Sequence, residues 1–180
     1  MKMKLLAAAT AVAGLSAPAF AATQGTPGPT STGTVTINAT ITPEVAISDL
    51  DDLTFTATQL QTALNTGANA QQADDVCVWS NNVDGSYYLT ATGDGAGNAF
   101  TLTDGTRTLA YSLGWRFGGG AVQSLTSGTK SPRLTTTATA PDCGGSTTAS
   151  LLVILRNADI AAMEATTTYT GVLTLLVSPT

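Results

Sequence analysis

The chain contains no histidine at all. That one absence excludes Ser–His–Asp and Cys–His catalysis, imidazole metal sites and the ordinary switch near neutral pH. Charge is scarce as well, with 7 basic and 12 acidic residues among 180. Lys2 and Lys4 sit at the extreme N-terminus, so five basic residues face twelve acidic ones over the rest, a formal charge of −7. Arg107, Arg116, Lys130, Arg133 and Arg156 are too few to neutralise a run of phosphates or to hold an anionic membrane surface, and neither nucleic acid nor lipid is an expected partner. No uninterrupted apolar run reaches the roughly 18 residues that a membrane-spanning helix needs. Cysteine is limited to Cys77 and Cys143.

What is present begins with a leader. Met1 to Lys4 is positively charged, Leu5 to Leu15 is apolar, and Ala19-Phe20-Ala21 has the small-x-small form of a signal-peptidase site. Cleavage is expected after Ala21, with export across the inner membrane of a bacterium-like cell. The absence of cysteine at that site argues against a retained lipid anchor. In an oxidising compartment the two cysteines predict a single Cys77–Cys143 disulfide, for which the chain-entropy account gives roughly 4 kcal/mol. The competing reading, a reactive thiol, would need a base or a cation that neither neighbourhood offers.

Residues 22–33, "ATQGTPGPTSTG", are rich in Gly, Pro, Ser and Thr without periodicity and read as a flexible lead-in. From Thr34 the chain alternates. "TVTINATIT" puts Val35, Ile37, Ala39 and Ile41 on one face, and Pro43 stops the strand. "EVAIS" and "DLTFTAT" alternate too, whereas Leu60, Ala63 and Leu64 fit a short helix or a loop equally well. Strands follow at "VCVWSN" and "YYLTAT", with Asp84-Gly85 as a turn between them, then at "AFTLT" and "TRTLAYSLGW", joined through Asp104-Gly105. Leu109, Tyr111, Leu113 and Trp115 share a face. "SLLVIL", Ser150 to Leu155, is apolar on both faces, as a strand between layers would be. "NADIAAMEA" allows one helical turn, and "TYTGVLTLLV", Thr168 to Val177, closes the chain's regular structure. Eight to ten short strands, threonine throughout and almost no helix predict an all-β, immunoglobulin-like antiparallel sandwich over residues 34–180.

Few residues suggest chemistry. "GDGAGN", Gly93 to Asn98, lacks the following helix and the lysine of a phosphate loop and reads as a hairpin loop. Asp49, Asp51, Asp52, Asp74 and Asp75 carry oxygen ligands but not the spacing of a calcium loop. Trp79, Tyr87, Tyr88, Trp115 and Phe117 would make a sugar-stacking platform only if they left the core, where Trp115 belongs by phase. Asn38 begins a glycosylation sequon by chance. No catalytic residue, metal ligand or cofactor is expected.

The two end strands stand out. A strand after a flexible lead either serves its own sheet or leaves to complete a neighbour's, and a terminal strand apolar on both faces needs cover. "TVTINATITPEVAI" (Thr34 to Ile47) and "TYTGVLTLLV", with "DVCVWSN", "YSLGW" and "SLLVIL" between them, resemble subunits of chaperone–usher pili. The likeness is to the alpha-fimbrial and spore-coat-U-like pilins, and it covers most of the exported chain in outline. It implies a sandwich lacking one strand, first covered by a periplasmic chaperone and then, after passage through an outer-membrane usher, by the N-terminal segment of the next subunit. Carried over to this sequence, Val35, Ile37, Ala39 and Ile41 would be the donor side chains. Tyr169, Leu173, Leu175 and Val177 would border the acceptor groove and meet the chaperone. The implied product is a cell-surface fimbria serving adhesion or biofilm formation, built from copies of this chain or related pilins. The alternative is a self-complete secreted or periplasmic sandwich binding carbohydrate or a surface ligand. A hydrolase using carboxylates alone is the weakest reading.

Overall fold

A computed structural model describes residues 22–180, and the leader predicted at residues 1–21 lies outside the described residues. The described chain falls into two units, divided between Ile41 and Thr42.

In the first unit the backbones of Thr23 and Thr34 pair through two N–H···O bonds of 3.0 and 3.1 Å, closing the Gly/Pro-rich lead-in into a loop. The strand predicted from Thr34 to Ile41 is not formed. The alternation is there, but no second strand pairs with it among the described residues, and a strand exists only by its ladder. Val35, Ile37 and Ile41 are 72, 86 and 79 % exposed.

The second unit is an antiparallel β-sandwich. Its strands are β1 (Val45–Ser48), β2 (Ala70–Ser80), β3 (Ser86–Gly93), β4 (Thr101–Thr103), β5 (Thr108–Ala110), β6 (Ser112–Phe117), β7 (Gln123–Leu125), β8 (Leu134–Thr135), β9 (Ala149–Leu155) and β10 (Leu173–Pro179). One sheet has five strands in the order β1-β2-β9-β6-β7, a second has three in the order β10-β3-β8, and β4 and β5 form a separate hairpin. The predicted face of Leu109, Tyr111, Leu113 and Trp115 is buried throughout. Trp115 of the larger sheet donates its indole N–H to the hydroxyl of Tyr87 in the smaller sheet, 3.2 Å away. Both side chains are fully buried, so the bond satisfies two polar groups that would otherwise weaken the core. Cys77 and Cys143 are bonded, with Cα atoms 5.9 Å apart, tying β2 to a turn 66 residues downstream.

The ambiguous stretch after Phe55 is a helix, α1 (Ala57–Thr66). Thr56 accepts the N–H of Gln59 while Gln59 accepts the N–H of Thr56, a reciprocal cap, and Gly67 ends the helix in the left-handed conformation. A second short helix, α2 (Asn157–Ala161), is the single turn expected from "NADIAAMEA".

Candidate functional site

The site grows from an interruption in one ladder. β1 pairs with β2 from Val45↔Ser80 to Ser48↔Cys77 and then stops, at Asp49, whose φ of 60° is left-handed. Residues 50–55 continue without a ladder. They keep their alternation, however: Leu53 and Phe55 are half-buried against the core, while Asp51, Asp52 and Thr54 face out. "DLTFTAT" therefore supplies an apolar wall rather than the strand expected of it.

The opposite wall is β10. It pairs along its length with β3, from Leu173↔Gly93 to Pro179↔Tyr87, and it is the outermost strand of its sheet. The Asp94 N–H donates to the carbonyl of Val172. Antiparallel alternation then aims the backbone groups of Thr174 and Leu176 at β3, and those of Leu173, Leu175 and Val177 away from it. Just upstream, Thr170 pairs with Thr103 of β4, so the closing strand predicted from Thr168 is shared between two partners and its regular part begins at Leu173. Gly171 permits that approach, since a Cβ there would lie 2.5 Å from the Thr101 carbonyl oxygen.

Between these walls lies a groove of about 820 Å³. Its floor is Leu151, Val153 and Leu155 of β9, and its ends include Leu60, Leu102, Tyr111 and Met163. Tyr169, Leu173 and Leu175 line it; Val177 packs on the core cluster beyond the lining. The other face of the closing strand is bare, with Val172 64 % and Leu176 61 % exposed. Among the described residues no strand pairs with the outer edge of β10, and a slot of this kind, floored by leucine and valine, suits an extended chain with alternate apolar side chains.

The remaining sequence candidates are placed as follows. Trp115 and Tyr87 are buried, and Trp79, Tyr88 and Phe117 are half-buried. Lys130 lies over the Tyr88 ring, 3.6 Å from its centre. Gly93 to Asn98 turns β3 toward β4 around a short 3₁₀ segment. Asp104 accepts the N–H groups of Thr106 and Arg107, and those bonds hold its carboxyl below the usual range. Asp74 is 6 % exposed, its carboxyl pushed up by burial, and it accepts the N–H of Asp51 at 3.1 Å. Among the described residues no helix is long and apolar enough to cross a membrane.

No protein-family model matches the sequence, and no curated relative does. Among solved structures the chain is similar to part of a chaperone–tip adhesin complex vital for synergistic activation of CFA/I fimbriae biogenesis. The identity is 16 % and the TM-score 0.48, over 77 % of this chain and 41 % of that one. The chain thus spans less than half the length of that neighbour.

Proposed function

We propose that this protein is a non-catalytic structural subunit of a bacterial surface pilus, assembled by donor-strand complementation and serving adhesion or biofilm formation. The observation that carries the reading is the open edge of β10 beside the 820 Å³ apolar groove. The N-terminal segment supplies a matching shape. Val35 to Ile41 spans six residue steps, about 20 Å when extended, and so does Tyr169 to Leu175 along the groove wall. Val35, Ile37 and Ile41 are exposed large apolar residues, and burying three such side chains stabilises by roughly 5–9 kcal/mol before ordering costs.

In this reading Val35, Ile37, Ala39 and Ile41 of one copy enter the groove of the next, where Tyr169, Leu173 and Leu175 receive them. A periplasmic chaperone covers the groove in transit, and an outer-membrane usher hands subunits on. The buried and half-buried aromatics give the carbohydrate-binding alternative no exposed platform, so it gains no support from the described residues.

The test is an SDS gel of protein purified from the periplasm, with and without boiling, beside a form lacking residues 22–42. A ladder that survives SDS, collapses on boiling and disappears in the truncated form is expected. A monomer band indifferent to boiling and truncation would overturn the proposal.

A further inference from the structure

β2 carries an anomaly on its inner face. Ala70, Val76 and Val78 are buried there in phase, yet the two positions between them are Gln72 and Asp74. A self-sufficient sandwich has no use for two polar side chains on a core-facing strand, because each must find a partner or cost stability. Both have partners, and both partners are backbone atoms of the groove wall. Asp74 accepts the Asp51 N–H at 3.1 Å, and Gln72 donates to the Thr54 carbonyl at 3.0 Å.

The register explains why. Extended beyond Ser48↔Cys77, the β1–β2 ladder would set Asp51 opposite Asp74 and Leu53 opposite Gln72. Backbone pairing there would make residues 50–55 an ordinary edge strand of the larger sheet. Instead, Asp49 turns the chain with its left-handed φ, and two side chains replace the ladder bonds. The same Gln72 amide also donates to the Gln59 side chain at 3.0 Å, joining the wall to the cap of α1. The wall is thus held at Asp51, at Thr54 and at its junction with the helix, without being zipped to β2.

We propose that Gln72 and Asp74 are positioning residues for strand capture, holding segment 50–55 off β2 so that the slot facing β10 stays one strand wide. The inference rests on the proposed strand-accepting function and adds the residues that set the slot's geometry. Without these tethers the wall either pairs with β2 or moves freely, and in both cases an incoming strand meets a slot of the wrong width.

The experiment uses the full exported chain carrying Ile37→Asp, which disables its own donor segment, and a fluorescent synthetic peptide of residues 34–42 as probe. Capture rate is followed by anisotropy and folding by thermal melt. Asp74→Ala and Gln72→Ala are each expected to slow capture about tenfold, the scale of one lost hydrogen bond. Asp74→Asn, which keeps an acceptor for the Asp51 N–H, restores capture. Gln72→Ala, at a half-buried position, keeps a cooperative melt and guards against a folding artefact. Capture at the parent rate by both alanine variants overturns the inference while leaving the strand-accepting function intact. Failure of the parent to capture the peptide overturns both.

Discussion

β9 and β10 read almost alike, "SLLVIL" and "GVLTLLV", each apolar on both faces, and the fold treats them differently. β9 is paired on both edges and buried on both faces, with Leu151 of the groove floor and Leu152 behind it only 4 and 6 % exposed. β10 is paired on one edge and covered on one face, with Leu176, and Val172 just before the strand, more than half exposed. Apolar content on both faces thus specifies a demand for cover. Whether the chain meets that demand itself depends on which strands lie beside it. In β9 it is met by neighbouring strands on both edges, and in β10 on one edge only.

Substitutions should separate the two strands sharply. The largest effect is expected at Leu155→Ala in β9, where a cavity at a fully buried site costs about 2–5 kcal/mol and lowers the urea midpoint. Replacing both cysteines comes next. Loss of the Cys77–Cys143 link should cost about 2–4 kcal/mol, read as a matching drop in thermal stability that reductant reproduces in the parent.

Leu175→Asp in β10 should behave oppositely to Leu155→Ala. The site is half-buried and opens onto the groove, so the isolated subunit loses about 1 kcal/mol, yet SDS-resistant association disappears. Equal losses of stability at positions 155 and 175 would erase the distinction. Asp74→Asn gives a smaller, signed effect. Burial raises the Asp74 carboxyl above its usual value, helped by the neighbouring Asp51 and Asp75 charges. The folded state therefore binds this proton more readily than the unfolded one. The group's contribution is full below the unfolded value and is lost as pH rises through the folded value. The asparagine variant should melt slightly higher than the parent at pH 7, and the gap should close on acidification. Leu176→Thr, on the bare outer face, should leave stability within about 0.5 kcal/mol.

Much of the fold was legible because strand period and turn chemistry are local. The burial of Leu109, Tyr111, Leu113 and Trp115 and the two-sided burial of "SLLVIL" follow from phase and length alone. Leu60, Ala63 and Leu64 alone fit helix or loop, whereas Thr56 and Gln59 at capping-box spacing, with Gly67 following, carry the signal for the helix at Ala57. Alternation proved ambiguous in two places for one reason. At residues 34–41 and 50–55 the side-chain pattern is that of a strand, but a ladder needs a second backbone, and no period in one segment reports whether one is there. The groove was legible only in part. Of the four residues that the pilin resemblance implied, Tyr169, Leu173 and Leu175 line the groove and Val177 does not, whereas the wall at 50–55 and its tethers depend on a register break that only the paired strands reveal.

The most direct measurement is amide hydrogen exchange across β10 in the Ile37→Asp chain, alone and with the peptide of residues 34–42. The account predicts new protection at Leu173, Leu175 and Val177, whose backbone groups point away from β3, with little change at Thr174 and Leu176. Unchanged exchange at all five positions, under peptide concentrations that saturate, would contradict it: the open edge of β10 would then not be a place where a strand is received.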